Sequence, residues 1–201
     1  MRALLLYYTG FLILVFVWPT LRLWQRTGIN ALVVTFGDDL HGYAGRGFRL
    51  LLACALPLLG AHGALPAGVF GPLPWLGHTA ISVTGWCMLL TSMLWIVWAQ
   101  AIMGRSWRIG IDNTHPGTLV AHGPFRMSRN PIFLGLRINL LGVFLVIPDA
   151  TTLCVFVAAE ILLQVQVRLE EQFLAALNGA AYADYRGRVA RWFGREMRES
   201  A

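Results

Sequence analysis

Residues 50–104 read LLLACALPLLGAHGALPAGVFGPLPWLGHTAISVTGWCMLLTSMLWIVWAQAIMG, a run without one Asp, Glu, Lys or Arg. About 20 apolar residues cross the hydrocarbon core of a bilayer as a helix, so this run is long enough for two crossings. Its middle holds Gly60, Gly63, Pro66, Gly68, Gly71, Pro72 and Pro74, residues that punctuate helices and form turns. The reading is two membrane helices, about 48–65 and 77–103, joined by a short turn.

Working outward, Ala3 to Leu21 is a third uncharged stretch of spanning length. It follows Arg2 as a signal peptide would, but Trp18-Pro19 and then Leu-Arg-Leu-Trp stand where a small-residue cleavage site belongs, so it reads as retained. Downstream, 131–147 and 150–167 are two more apolar runs hinged at Pro148-Asp149, the pattern of a helical hairpin. The expectation is an all-α, polytopic integral membrane protein with about five spans.

Composition agrees. Of 201 residues 57% are hydrophobic and 13% charged, against roughly 25% charged in soluble domains. All 16 basic residues are Arg, which excludes chemistry that needs a lysine, such as Schiff bases or a Walker-type phosphate loop. The net charge of +6 could suggest nucleic acid, yet the arginines flank apolar spans instead of forming one stripe, so no nucleic-acid partner is expected. Cys54, Cys87 and Cys154 lie far apart inside apolar runs and read as small core residues. No disulfide framework and no metal site is indicated, and His115 and His122 lack ligand spacing. His41, His62 and His78 read as loop or interface residues.

Arginine placement sets the expected orientation. Segments 22–49, 104–130 and 168–201 hold four, four and six Arg, while the turns at 66–76 and 148–149 hold none. Short cytoplasmic loops accumulate Arg, so the N-terminus is placed outside and the C-terminus in the cytoplasm. The tail is read as an amphipathic helix with Leu169, Phe173 and Leu177 on one face. Past Asn178-Gly179 it is expected to resume with Tyr182, Tyr185, Val189 and Trp192 inward and Arg186, Arg191 and Arg195 outward. The chain divides into a three-span region, 1–103, and a region 104–201 of loop, hairpin and tail that carries the chemistry. No cytoplasmic piece is long enough for a dinucleotide-binding unit, so any cofactor must be held between segments.

Three stretches of the second region carry a pattern. They are Thr118-Leu119-Val120-Ala121-His122-Gly123-Pro124-Phe125, then Ser128-Arg129-Asn130-Pro131-Ile132-Phe133-Leu134-Gly135, and after the hairpin Arg168-Leu169-Glu170-Glu171. With Asn178-Gly179-Ala180-Ala181-Tyr182-Ala183-Asp184-Tyr185, this order resembles the isoprenylcysteine carboxyl methyltransferase family, with T-L-V-x-x-G-x-Y, R-H-P-x-Y-x-G, a hydrophobic hairpin, E-E and F-G-x-x-Y-x-x-Y. The resemblance covers about 104–192, and weakly Arg26-Thr27-Gly28.

The resemblance implies methyl transfer from S-adenosylmethionine to a lipophilic acceptor in a membrane, most simply the inner membrane of a bacterium. It implies cofactor contacts from Thr118, Leu119, Val120, Phe125, Asn130, Pro131, Ile132, Phe133 and Glu170, with Arg129 and Glu170 as catalytic residues. A helix starting at Pro131 would offer unpaired amides to an anionic group. Three departures stand out: Phe125 and Phe133 replace tyrosines, Asn130 replaces the His, and Gln166 replaces an Arg associated with the acceptor. Gln cannot supply a fixed positive charge to a carboxylate. A phospholipid N-methyltransferase, which shares similar motifs, a sterol reductase-like, NADPH-dependent enzyme, which has a related helical core, and a non-catalytic membrane protein on the same scaffold stand as alternatives.

Arg137 and Glu160 are charges inside spans, which are costly unless paired. Each lies 11 or 12 residues from the Pro148-Asp149 turn, which places them at one depth of the hairpin. They are expected to pair, either as a register lock or, with Gln166, along the acceptor's path.

Overall fold

A computed structural model describes residues 1–28, 40–104 and 118–194. Among these, the long elements are helices and there is no strand: α1, Arg2–Thr27; α2, Leu40–Ala64; α3, Thr79–Met103; α4, Pro131–Val146; and α5, Ala150–Arg186. Short 3-10 turns at Ala67–Phe70, Pro74–Leu76 and Gly123–Arg126 complete the description. The fold is an all-α membrane architecture, with a helix at each of the five expected positions. Four of them, α1, α2, α3 and α5, are long and apolar enough to cross a membrane. The fifth differs: α4 has 16 residues, or about 24 Å at about 1.5 Å per residue, short of the roughly 30 Å hydrocarbon core.

α1 continues through Pro19 and beyond the expected end of its span at Leu21, as far as Thr27. Pro19 has no N–H for the carbonyl of Val15, four residues back. The helix widens into a π turn over Ile13–Val17, and the side chain of Gln100 in α3 donates to that Val15 carbonyl at 2.7 Å. A freed backbone acceptor in a bilayer needs such a partner, because lipid offers none. α2 also begins earlier than the apolar run, at Leu40, and carries Arg46 and Arg49 on a helical extension.

α3 and α4 pack most intimately. A Cβ on Gly85 would lie 2.9 Å from the Gly142 carbonyl, and one on Gly142 would lie 3.0 Å from the Gly85 carbonyl, so the two backbones touch as small residues allow in membrane helices. The core forms where α1, α3, α4 and α5 meet, with Phe11, Val15, Ile96, Leu136 and Leu163 buried together. Asn139 Nδ2 donates to the hydroxyls of Tyr7 at 2.6 Å and Ser92 at 3.0 Å, tying α4 to α1 and α3. The three cysteines are exposed, not core; their helices turn other faces inward.

At the hairpin turn, Asp149 caps α5 by accepting from the Thr152 amide at 2.7 Å. Of the two places expected for His62, loop or interface, it takes the interface: it stands in the last turn of α2 with Nε2 2.8 Å from Asp149. At about 1.5 Å per residue, the part of α5 before its kink at Gly179 spans roughly 43 Å, well over the roughly 30 Å of a hydrocarbon core. Its apolar first half, about 150–167, pairs with α4, and the remainder projects beyond the start of α4 toward the 118–130 loop.

Candidate active site

The loop that leads into α4 is shaped by its own backbone. Gly123 has a left-handed φ of +60°, which L side chains rarely adopt, and it opens the turn that buries Phe125. The Phe125 carbonyl accepts a 2.7 Å hydrogen bond from the Tyr185 hydroxyl. Main-chain bonds from Arg129 N to Ala190 O (3.0 Å) and from Gly194 N to Met127 O (2.9 Å) bind the loop to the tail. Ser128 Oγ donates to the Arg191 carbonyl at 3.2 Å and accepts from the Asn130 amide at 3.0 Å. Leu119 packs against the buried Tyr182, Tyr185 and Val189. The stretches 118–120, 125, 129–131, 170–171 and 182–185, scattered in sequence, thus meet at one end of the bundle.

At the centre stands Glu171. Its Oε1 accepts from Arg129 Nε at 3.1 Å and Asn130 Nδ2 at 2.8 Å, and its Oε2 accepts from Arg191 Nε at 3.1 Å and Nη2 at 2.8 Å. Burial alone would raise its pKa, but the hydrogen bonds from Arg191, Arg129 and Asn130 hold the carboxyl below the usual range. Arg129 has a side chain only 3% exposed, and its Nη1 donates to the carbonyls of Arg186 (3.1 Å) and Val189 (2.8 Å). The resemblance implies a catalytic role for Arg129; these contacts put its guanidinium between Glu171 and the tail.

Glu170, one residue earlier, has the opposite surroundings. It is half-buried and has no hydrogen-bond or ion-pair partner among the described residues. It lies beyond the apolar half of α5. Burial, reinforced by the negative charge of Glu171, pushes its carboxyl up to about 7. Helical spacing puts Gln166 and Glu170 in line with the buried Ala159 and Leu163, so the core stripe of α5 ends in this polar pair. Nearby, the Tyr182 hydroxyl is buried and has no partner among the described residues. Burial holds it up at about 12, so it keeps its proton.

The remaining assignments divide. Thr118 is exposed and Val120 half-buried at the loop's entrance. Pro131 is buried, and its carbonyl accepts from Trp95 Nε1 at 2.8 Å. Ile132 and Phe133 turn their side chains to the transmembrane core around Phe11 and Leu136, so only their main-chain amides, in the first turn of α4, are left to meet a ligand. Arg137 and Glu160 do pair, Nε to Oε2 at 2.7 Å, at the depth the hairpin arithmetic requires. Their side chains are 27% and 25% exposed. His115 and Arg195 lie outside the described residues.

The tail departs from its expected course. α5 kinks at Gly179 (φ 49°) and ends at Arg186, so Val189 and Trp192 do not continue a helical face, and Leu177 is exposed. Arg191, expected to point outward, is the second cation on Glu171. Its signal is weak: Gly187 and Gly194 mark a turning chain, but nothing local says where it turns.

A family model described as phospholipid methyltransferase matches residues 75–181, just over half the chain. No curated protein and no solved structure matches.

Proposed function

Because this chain belongs to the phospholipid methyltransferase family, a family of membrane methyltransferases, we propose that it moves a methyl group from S-adenosylmethionine to the amino group of a phospholipid headgroup. The observation that carries this reading is the contrast between the two adjacent carboxylates. Glu171 is neutralised by Arg129 and Arg191, while Glu170 has no counter-charge and Gln166, one turn earlier, provides none. A lone half-buried carboxylate favours cationic ligands.

The residues present fit such a donor. S-adenosylmethionine, when bound, supplies an electrophilic methyl group on a sulfonium. Glu170 offers the negative charge that a sulfonium or an ammonium needs beside it. The first-turn amides of α4 suit a carboxylate, and the orphaned Tyr182 hydroxyl suits a polar acceptor atom. With its pKa near 7, Glu170 also accepts the proton that an ammonium must lose before its nitrogen can attack. The Glu171 clamp keeps loop and tail together so that orientation and exclusion of water, the main requirements of a direct displacement, are met. The arginine-rich segments support a cytoplasmic location for this face.

Calorimetric titration of the detergent-purified protein tests the reading. Wild type binds S-adenosylmethionine more tightly than the neutral S-adenosylhomocysteine, a preference that fades below about pH 7, and Glu170→Gln abolishes the preference. Binding of NADPH in place of S-adenosylmethionine overturns the reading in favour of a reductase. The motif likeness to isoprenylcysteine carboxyl methyltransferases supports a second acceptor, a prenylcysteine carboxylate. Transfer of labelled methyl to farnesylcysteine and not to dioleoylphosphatidylethanolamine would decide for it.

A further inference from the structure

The Arg137–Glu160 pair lies away from Glu170, on the row of α5 formed by Glu160, Gln164 and Arg168 at four-residue intervals. Both Glu160 oxygens are occupied, Oε2 by Arg137 Nε at 2.7 Å and Oε1 by Gln164 Nε2 at 2.7 Å. The guanidinium of Arg137 therefore has spare N–H donors with no partner among the described residues. One face of it is covered by the Trp192 ring, 4.1 Å from Cζ to the ring centroid. A quarter of the side chain is open, and the helix it belongs to sits in the bilayer, where hydrocarbon offers these donors nothing.

The adjoining row of the same helix is Leu153, Val157 and Ile161, again four apart and 37%, 47% and 60% exposed. This row is an apolar track leading away from the loop side. Arg168 is exposed at the other end of the charged row. Arg137, Glu160 and Arg168 sum to one net positive charge. Arg137 lies six residues into α4, about 9 Å from its start at about 1.5 Å per residue, within the reach of an arginine side chain that snorkels toward headgroups.

We infer that Arg137, Arg168 and Trp192 form a binding site for the phosphodiester of a glycerophospholipid in the leaflet on the loop side, its acyl chain lying along Ile161, Val157 and Leu153. The monoanionic phosphodiester matches the net charge, and its paired oxygens match the guanidinium fork. Trp192 follows Arg191, so a lipid held here also holds the tail against the Glu171 clamp. The site is separate from Glu170, and its lipid is bound, not methylated; it stands whether or not the methyl-transfer reading does.

Native mass spectrometry of the full-length protein tests the site, with dioleoylphosphatidylglycerol, dioleoylglycerol and inorganic phosphate as probes. The first phosphatidylglycerol is expected to bind at least about tenfold more tightly than dioleoylglycerol, and millimolar inorganic phosphate should not displace it. Arg137→Lys keeps a partner for Glu160 but loses the planar fork, and should weaken the first lipid about tenfold. Arg168→Gln should weaken it less, and Arg137→Leu/Glu160→Leu should abolish the distinction between the two lipids. Equal binding of the two lipids to wild type, or displacement by inorganic phosphate, overturns the site. So does unchanged lipid affinity in both Arg137→Lys and Arg168→Gln, variants that leave no charge buried alone.

Discussion

Replacing Glu171 by Leu removes the acceptor for four donor groups on three side chains while leaving the fold of the bundle untouched. Arg129 would remain 97% buried without its Glu171 partner, and breaking a buried ion pair this way costs about 3–5 kcal/mol. The Arg191 share is small, because its side chain is 34% exposed and partly exposed pairs contribute at most about 1 kcal/mol. Glu171→Gln keeps an oxygen for Arg129 and Asn130 but turns an amide N–H toward the Arg191 fork, for about 1–2 kcal/mol. The loss falls on the loop–tail junction, since the junction is what the carboxylate joins. Hydrogen exchange of the amides at Ala190, Gly194 and Arg129, all donors in that junction, should therefore accelerate. At about 1.4 kcal/mol per tenfold, the increase is on the order of a hundredfold or more for Leu and tenfold for Gln, with α3 and α4 amides unchanged. Because the Glu171 carboxyl is held low, its contribution is complete above about pH 4.5 and is lost as pH falls through the depressed value. Acceleration under threefold in Glu171→Leu would refute the idea that this carboxylate joins loop to tail.

Glu170 titrates with the opposite sign. Raised to about 7, it favours the fold below about pH 4.5 and costs stability as pH rises through 7, so Glu170→Gln should raise the melting temperature at pH 8, leave it unchanged at pH 5, and abolish methyl transfer; equal melting shifts at both pH values refute the assignment. Tyr185→Phe removes a buried 2.7 Å hydrogen bond and should cost about 1–1.5 kcal/mol in thermal melts. Tyr182→Phe removes a hydroxyl with no partner among the described residues, so it should cost no stability yet weaken S-adenosylmethionine binding in a titration. Gly85→Ala drives a Cβ to 2.9 Å from the Gly142 carbonyl and should destabilise by about 1–3 kcal/mol. Gly60→Ala, with nothing within 4 Å, should be neutral or stabilising in the same melts.

Much of this fold is legible because membrane spans are written in plain code. The charge-free run at 50–104 and the Pro148-Asp149 hinge locate four of the five helices, and a rigid rise per residue is enough to pair Arg137 with Glu160 from their positions along the chain. How α1 accommodates Pro19 is not legible locally, because the compensation comes from Gln100, more than 80 residues away. The tail fails for a related reason. Helical periodicity extrapolated past Arg186 sends Arg191 outward, whereas the chain turns at Gly187 and is caught by Ser128, Arg129 and Glu171. A period describes a segment only while the segment remains one element.

The hardest point is the division of labour between Glu170 and Glu171. The motif marks both, and the rotation between consecutive helical residues is about 100°, so which carboxylate meets the two arginines depends on where the loop and tail lie around α5. Once Arg129, Asn130 and Arg191 are placed on Glu171, the electrostatics of its neighbour follow. Arg129 and Arg191 are engaged by Glu171, burial penalises a second negative charge, and Glu170 is left at a pKa of about 7 with no hydrogen-bond or ion-pair partner among the described residues. An arriving cation supplies the missing counter-charge and ionises Glu170, releasing a proton. In this way the clamp on one carboxylate makes the other selective for charge.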